Sequence, residues 1–173
     1  MGILFCIVIT IWFRLFAVLG MINLTLNTPE EMFAFGQQLA SSHKILLLQW
    51  ELGAGKTTLI KWFAAWLGMD PHRVNSPTYT YIQEYQGSSE FRAQSLEDSG
   101  FRQNDGSRKL LHIDMYNIHS FDQLVEKGIS ELIHDYEYIA IEWPKFIDEL
   151  WLNGTMIAIE KGQGDVREII VNY

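Results

Sequence analysis

A glycine-containing segment between two apolar stretches has the residue types and the spacing of a phosphate-binding loop. Gly53 and Gly55 allow the backbone to curl so that successive amide groups face inward. Lys56 can place an ammonium on the β- and γ-phosphates of a nucleotide, and the Thr57 hydroxyl can bind magnesium. The sequence therefore predicts a phosphate site along Glu51, Leu52, Gly53, Ala54, Gly55, Lys56, Thr57 and Thr58.

One position of this loop departs from the usual pattern. The pattern has a glycine six positions before the lysine, where this chain has Trp50. If that residue must adopt a positive φ, a tryptophan there costs about 1–2 kcal/mol, and a slight rearrangement of the loop is the other possibility. The alternative to a nucleotide site is a glycine-rich turn before a helix, which the strand–loop–helix order disfavours.

Two acidic residues, Asp114 and Glu142, each end a short apolar run that is typical of a buried strand. The ends of neighbouring parallel strands meet at one edge of a sheet, so both carboxylates are expected near the γ-phosphate. An acid there can hold magnesium, directly or through water, or can orient the attacking water. We therefore predict Lys56, Asp114 and Glu142 as catalytic residues; the alternative is that each acid is a solvated strand end.

Four further residues have a functional and a structural interpretation. Thr78 lies in a proline-anchored segment that can follow the γ-phosphate, or it caps local backbone. Trp143 stacks on a nucleotide or a partner, or it packs in the core beside a proline. Arg167 reaches the nucleotide or is an exposed cation at a strand end. His112 is expected to be packed or hydrogen-bonded rather than a metal ligand. Thr78 and Trp143 are included among the predicted nucleotide contacts.

These residues must be positioned by strands and helices that alternate along the chain. The alternation predicts an α/β fold, a P-loop NTPase-like sandwich with a mostly parallel central sheet flanked by helices. A hydroxyl, a proline and two acids in succession mark the start of the first helix. Predicted strands cover 44–49, 79–85, 110–114, 138–143, 155–160 and 167–171, and predicted helices begin at Thr28 and cover 57–67 and 120–127.

Two parts of the chain differ from the rest in composition. Residues 21–173 are predicted to form one P-loop ATPase domain, in which the polar stretch 86–109 is a long inserted loop. Residues 1–20 form an apolar extension, slightly short of the ~20 apolar residues that span a bilayer and interrupted by Arg14. This extension is a mis-assigned start without function, a membrane anchor or a signal sequence. Apart from that anchor, no membrane association is expected, and the predicted location is the cytoplasm.

Composition excludes several classes of function. With 48% hydrophobic residues, the 173-residue chain is a folded globular protein rather than a disordered one. Its 13 Lys and Arg against 21 Asp and Glu give a net charge of −8, which argues against a basic surface that clasps nucleic acid. The single cysteine, Cys6, excludes an intrachain disulfide and a cysteine-built zinc site.

Four sequence blocks together resemble the TsaE (YjeE) family, small ATPases of bacterial tRNA threonylcarbamoyladenosine synthesis. The glycine loop alone is common to many nucleotide hydrolases, whereas the other three blocks are specific in combination and stand in the family's order. They span most of residues 21–173, and residues 1–20 lie outside the resemblance. The blocks are Glu51–Thr58, Asn75–Thr80, His112–Tyr116 and Ile141–Pro144.

The resemblance implies a function that the residues alone do not give. It implies binding of ATP and Mg²⁺, with Glu142 near the metal beside Thr57. Slow hydrolysis by the isolated chain is expected on separate grounds, because the sequence has no obvious arginine finger near the motifs. It implies the protein partners TsaD and TsaB, the assembly that attaches threonylcarbamoyl to the adenosine beside the anticodon. Contact with tRNA is then indirect, through that complex.

The chain departs from the family pattern at three places. Trp50 replaces a glycine, Asn117 stands where the family usually has an arginine, and the insertion at 86–109 is longer than usual. Two alternatives to the ATPase interpretation stay open. One is a small-molecule kinase whose lid would use the arginines of the insertion, and the other is a nucleotide-binding interaction module without hydrolysis.

Overall fold

The computed structural model describes residues 20–88 and 108–172. One seven-stranded sheet organises this part of the chain, with the strands in the order β1-β7-β6-β2-β5-β4-β3. The strands are β1 (Met21–Leu26), β2 (Ile45–Gln49), β3 (Ile82–Gln86), β4 (Lys109–Asp114), β5 (Tyr138–Glu142), β6 (Thr155–Lys161) and β7 (Arg167–Asn172).

Four α-helices and two short 3-10 turns connect the described strands. The Thr28 hydroxyl accepts a hydrogen bond from the Glu31 amide at 3.2 Å, so the predicted cap of the first helix is confirmed. The helices are α1 (Pro29–Ser42), α2 (Lys56–Trp66), α3 (Phe121–Glu126) and α4 (Ile129–Leu132), and the 3-10 turns are Pro71–Arg73 and Ile133–Asp135.

The centre of the sheet is parallel and its flanks are antiparallel. Strand β2 pairs in parallel with β5 and β6, and β5 pairs in parallel with β4. The flanking pairs β1–β7, β6–β7 and β3–β4 are antiparallel. The predicted α/β sandwich is therefore confirmed, and its parallel part holds the strands that lead into the site.

Each face of the sheet packs against its own hydrophobic cluster. Alternate residues of one strand enter different clusters, as Leu46 and Leu48 do on one face and Leu47 on the other. Helices α1 and α2 cover the first face, whereas α3, α4 and the chain after β5 cover the second. Helix α1 approaches α2 closely at Gly36, where a side chain would begin only 2.7 Å from the Cβ of Trp62.

Several predicted boundaries shift, and two elements have no counterpart in the predictions. The strand expected over 79–85 begins at Ile82, because residues 78–80 form a turn and Tyr81 adopts a φ of 66°. Strand β1 and helix α4 were not predicted. The insertion was predicted over 86–109, but its first residue, Gln86, belongs to β3 and its last residue, Lys109, belongs to β4.

Two predicted segments lie wholly or mostly outside the described residues. These are residues 1–19 of the apolar extension and residues 89–107 of the insertion. Within residues 20–88 and 108–172, none of the helices combines the length and the apolar character needed to cross a membrane.

Candidate functional site

The glycine loop lies between β2 and α2, as the sequence predicts. Gly53 and Gly55 have φ values of 75° and 113°, a region in which residues with a Cβ are strained. Gly55 is the N-cap of α2 and offers no side chain, so no side-chain hydrogen bond caps the first amides of this helix. Uncapped amides at the positive end of a helix form an anion site.

Trp50 also adopts a positive φ, at 100°, and its side chain is 41% exposed. The loop therefore keeps the backbone conformation that a glycine would favour and places a tryptophan in it. A non-glycine residue held in this region stores strain of about 1–3 kcal/mol. The sequence left open whether Trp50 is strained or the loop is rearranged, and the structure has the strained tryptophan.

Lys56 is buried at the start of α2, with 4% of its surface exposed. Its Nζ donates hydrogen bonds to the carbonyl oxygens of Trp50 at 2.7 Å and of Glu51 at 2.8 Å. Burial lowers the pKa of this ammonium, while the negative charges of Glu142 and Asp114 act in the opposite direction. The lysine thus lies inside the loop, within the electrostatic reach of both predicted acids.

The Thr57 hydroxyl meets the carboxylate of Glu142. Its Oγ1 donates to Glu142 Oε1 at 2.7 Å, and the same oxygen lies 3.0 Å from His112 Nε2. The parallel register explains this meeting, because Glu142 pairs with Leu48 at the end of β2, just before the loop. Two predicted metal-binding residues that are 85 positions apart are therefore in direct contact.

Asp114 makes a different set of contacts. Its Oδ2 accepts hydrogen bonds from Thr78 Oγ1 at 2.5 Å and from Ser76 Oγ at 3.0 Å, and its Oδ1 accepts one from the Tyr116 amide at 2.9 Å. Asn117 Nδ2 donates to the Thr78 carbonyl oxygen at 3.2 Å. Asp114 therefore holds the segment after α2 against the end of β4.

Trp143 is partly buried beside the lysine. The Lys56 Nζ lies 4.1 Å from the centroid of its ring, within cation–π distance. Its other ring neighbour is Tyr116, at 5.2 Å between centroids, and Tyr116 is 42% exposed. Trp143 therefore lies at the rim of the site rather than in the core, and the interpretation as a core aromatic is wrong.

Arg167 reaches the glycine loop from the start of β7. Its Nε donates to the Ala54 carbonyl oxygen at 2.8 Å, and its Nη1 donates to the carbonyl oxygens of Val166 at 2.8 Å and Gly164 at 3.2 Å. A Cβ on Gly55 would lie 3.6 Å from the same Nε. The interpretation as an exposed strand-end cation is wrong, because this side chain ties the loop to the β6–β7 hairpin.

The structure thus brings together most of the predicted site residues, and it adds contacts that the sequence did not predict. Lys56, Thr57 and Glu142 form one connected group, and Thr78 and Asp114 form a second. The side chains of Glu51, Leu52 and Thr58 are exposed. The contacts His112–Glu142 and Arg167–Ala54 were missed, although the two-residue spacing of His112 and Asp114 on β4 places them on one sheet face.

No group of three or more His, Cys, Asp or Glu residues that could hold a metal ion occurs in the described ranges. Such a cluster is not needed for Mg²⁺, which keeps several waters and usually takes one or two protein ligands plus substrate phosphates. The paired Thr57 hydroxyl and Glu142 carboxylate are hard oxygen ligands of that kind. The donor set therefore fits magnesium arriving with a nucleotide.

Comparison with known proteins gives consistent matches. A family model described as "Threonylcarbamoyl adenosine biosynthesis protein TsaE" matches residues 26–169. A Bacillus subtilis (strain 168) protein named tRNA threonylcarbamoyladenosine biosynthesis protein TsaE is 35% identical over 145 residues, 82% of this chain and 78% of that protein. A protein of the same name from Aquifex aeolicus (strain VF5) is 31% identical over 124 residues, 68% of this chain and 73% of its own.

A solved structure gives a matching fold. The crystal structure of Bacillus subtilis YdiB has a TM-score of 0.55 to this chain at 28% sequence identity. The match covers 87% of this chain and 84% of that one. The family match includes the glycine loop, β4 and β5, and it ends within β7, after Arg167.

Proposed function

The chain belongs to the TsaE family, and from this membership we propose that it is a magnesium-dependent ATPase that supports threonylcarbamoyl transfer to the adenosine beside the tRNA anticodon. The contact that carries the proposal is the 2.7 Å hydrogen bond between Thr57 Oγ1 and Glu142 Oε1. It joins the end of the glycine loop to a buried carboxylate, beside a buried lysine.

The phosphates of ATP would bind to the loop amides and to Lys56. The first amides of α2 have no side-chain cap, and the Lys56 ammonium is bonded to two loop carbonyls that phosphate oxygens can replace. Phosphate oxygens are charged acceptors, so this exchange favours the bound state. Because the ammonium is already inside the loop, little reorganisation of its side chain is required.

Thr57 and Glu142 would hold the magnesium ion, and Asp114 would act beside them. When bound, magnesium neutralises charge that develops on the β- and γ-phosphate oxygens. Asp114 keeps Ser76 and Thr78 at the end of β4, so a change at the γ-phosphate can be transmitted to this segment. In this proposal, Glu142 binds the metal, and Asp114 holds the neighbouring segment that contains Ser76 and Thr78.

Hydrolysis by the isolated chain is expected to be slow, and the partners TsaD and TsaB would accelerate it. Arg167, which contacts the loop, is bonded to three main-chain carbonyls and is not placed as an arginine finger. A net charge of −8 favours docking on proteins over direct contact with tRNA. The tRNA would therefore be reached through the complex, in the cytoplasm.

The test compares two lysines of the same helix. Lys56→Ala removes the buried ammonium, and Lys61→Ala removes a partly exposed one from α2. We expect Lys56→Ala to lower ATP hydrolysis in the presence of TsaD and TsaB at least about 100-fold, because a preorganised donor to the reacting phosphate is lost. Lys61→Ala is expected to retain the wild-type rate.

The same samples separate the proposal from the interaction module and from the kinase. Titration calorimetry with Mg-ATP measures binding, and tRNA threonylcarbamoylation measures the supported reaction. Absence of Mg-ATP binding by the wild-type chain would contradict the proposal, and Mg-ATP binding without hydrolysis in the presence of TsaD and TsaB would favour the interaction module. Phosphate transfer to an added nucleoside or sugar that exceeds hydrolysis would favour the kinase.

A further inference from the structure

His112 is fully buried on β4 and faces the carboxylate of Glu142. Its Nε2 lies 3.0 Å from Glu142 Oε1, and none of its surface is exposed. The strand register explains the reach, because the residue opposite His112 on β5 is the small Ala140, and Glu142 follows two residues later on the same face. The imidazole therefore crosses diagonally over an alanine to the acid.

The contacts of the ring define its protonation. A carboxylate can only accept hydrogen bonds, so Nε2 carries the proton that is shared with Glu142. The other ring nitrogen, Nδ1, is buried and has no hydrogen-bond partner among the described residues. A neutral ring with its proton on Nε2 leaves only a lone pair at Nδ1, whereas any other form would bury an unpaired N–H.

Both donors bind the same oxygen of Glu142. Thr57 Oγ1 and His112 Nε2 converge on Oε1, and Oε2 makes no hydrogen bond within the described part of the chain. Two donors from different directions fix the rotation of the carboxylate, which one donor would leave free about a single bond. Thr57 lies in the first turn of α2, so His112 is the only one of the two donors that comes from the sheet.

We propose that His112 is the positioning residue of Glu142, and that its Nε2–H fixes the carboxylate in the orientation that binds magnesium beside Thr57. The inference rests on the proposed function, since it assigns Glu142 to the metal. His112 itself touches neither the nucleotide nor the metal. Removing a residue that is hydrogen-bonded to a metal ligand typically lowers metal affinity or activity by about 10–100-fold.

Two substitutions with opposite hydrogen-bonding ability test the proposal. His112→Gln places an amide N–H where Nε2 lies, and His112→Leu fills a similar volume without a donor. We expect His112→Leu to raise the half-saturating Mg²⁺ concentration for ATP binding by about 10–100-fold, and His112→Gln to remain close to wild type. Binding of ATP in the presence of EDTA is expected to be equal in all three proteins, because it does not use the carboxylate.

A second readout does not depend on nucleotide. Nitrogen NMR of the histidine side chains in the nucleotide-free wild-type protein is expected to show one ring with a protonated Nε2 and a bare Nδ1. The signal should disappear in His112→Gln, which assigns it among the five histidines of the chain. A proton on Nδ1 instead would overturn the proposal, whether or not the protein binds ATP.

The variants distinguish positioning from packing. If His112→Gln is impaired as strongly as His112→Leu, or if both match wild type in Mg²⁺ dependence, the proposal is wrong. Urea unfolding midpoints measured on the same proteins identify a variant that fails to fold, in which case the NMR signal and His112→Gln decide. Failure of the wild-type chain to bind Mg-ATP would count against the proposed function, and the NMR result would still decide the hydrogen bond.

Discussion

The charges at the centre of the site are unequal. One ammonium, on Lys56, faces the carboxylates of Glu142 and Asp114, and burial lowers its pKa while the two acids oppose that change. These three groups together carry an excess of negative charge. A divalent cation that accompanies the nucleotide offsets this excess, whereas ATP without a metal would add to it. At the scale of single residues, the proposed ligand would therefore be Mg-ATP rather than free ATP.

Trp50 allows the strain of the glycine loop to be measured. Its φ of 100° is costly for any residue with a Cβ, so Trp50→Gly and Trp50→Ala both remove the indole but only the first removes the strain. We expect Trp50→Gly to be more stable than Trp50→Ala by about 1 kcal/mol. Urea unfolding followed by circular dichroism measures the difference.

The comparison between these two variants is the informative one, because the loss of the partly exposed indole is common to both. A matched pair at Leu52, an exposed residue of the same loop that is absent from the positive-φ residues, provides the control. There, glycine is expected to be less stable than alanine, since it only adds freedom to the unfolded chain. If Trp50→Ala proved at least as stable as Trp50→Gly, the loop would not be strained at this position.

At the scale of elements, the ends of three parallel strands place the site. Apolar runs that end in an acid predicted β4 and β5, and the glycine loop predicted the end of β2 and the start of α2. The choice of partner for each acid could not be predicted, because it depends on register and on the path of distant segments. Asp114 binds the segment that follows α2, whereas Glu142 binds Thr57.

Strand β1 shows a second limit of the sequence. Its burial alternates strictly, with Ile22 and Leu26 buried, Leu24 half-buried and the residues between them exposed, as expected for an edge strand that pairs with β7 alone. The alternation of apolar and polar residues from Ile22 to Leu26 is typical of a half-buried strand, and the sequence prediction missed it, but the alternation does not identify the strand with which β1 pairs. Its place is set by β7, which lies about 145 residues later in the chain. Pairing over such a separation is not encoded in any local pattern.

Strand β7 contributes to the site through one arginine. Arg167→Ala removes the hydrogen bond that holds the Ala54 carbonyl and, with it, a restraint on the loop. We expect the dissociation constant for Mg-ATP to rise about tenfold, in line with the loss of one charge-assisted hydrogen bond, and kcat to change less. Titration calorimetry gives the first value and steady-state hydrolysis with the partners gives the second.

Lys161→Ala is the matched control for Arg167→Ala. Lys161 lies opposite Arg167 in the β6–β7 register and is exposed. Its substitution by alanine therefore removes the same charge without removing the hydrogen bond to the loop. Nucleotide affinity close to wild type is expected for this variant. Equal weakening by both substitutions would show that charge alone, rather than the contact with Ala54, is responsible.

A contact between Tyr136 and Glu84 makes the other edge of the sheet sensitive to alkaline pH. The Tyr136 hydroxyl donates to Glu84 Oε2, which links β3 to the turn before β5. Burial raises the pKa of Tyr136 to about 12, and the hydrogen bond to Glu84 and repulsion from Glu84 and Asp135 add to this. Because folding favours the neutral phenol, its stabilisation is fully present below the unfolded pKa of about 10.

This stabilisation is expected to disappear as the pH rises from about 10 to about 12. The free energy of unfolding of wild type minus that of Tyr136→Phe, taken from urea curves at a series of pH values, should fall over this range and stay constant below it. Tyr79→Phe, at a tyrosine that is 92% exposed, provides the control for the loss of a hydroxyl. A constant difference across the range for Tyr136 would contradict the raised pKa.

At the scale of the whole molecule, the fold separates the site from the second face of the sheet. The glycine loop, α2 and the acids lie on the face covered by α1 and α2, whereas α3 and α4 cover the other face. The family match, residues 26–169, spans both faces. The segment that Asp114 holds continues to the second face, because Tyr81 packs against the second cluster.

The β3–β4 hairpin allows the role of the inserted segment to be tested. The Gly87 amide donates to the Arg108 carbonyl oxygen at 2.9 Å, and Gln86 pairs with Lys109, so the two strands are already joined before the insertion begins. Replacing residues 89–107 with Asn-Gly leaves Ser88-Asn-Gly as a three-residue connection, a common hairpin length with glycine at its left-handed position. The shortened chain is therefore expected to fold with an unchanged urea midpoint.

The shortened chain also decides between two proposed activities. An ATPase whose site is built from residues 50–57, 114 and 142 should retain its Mg-ATP affinity and its hydrolysis with the partners, because the glycine loop, β4, β5 and the segment after α2 supply the contacts of these residues. A kinase that needs a lid of arginines should lose phosphate transfer. A full-length control with Arg92→Ala and Arg102→Ala distinguishes the loss of these cations from the loss of loop length. If the shortened chain folds but no longer binds Mg-ATP, the insertion belongs to the nucleotide site, and the site described by the sheet and the glycine loop is incomplete.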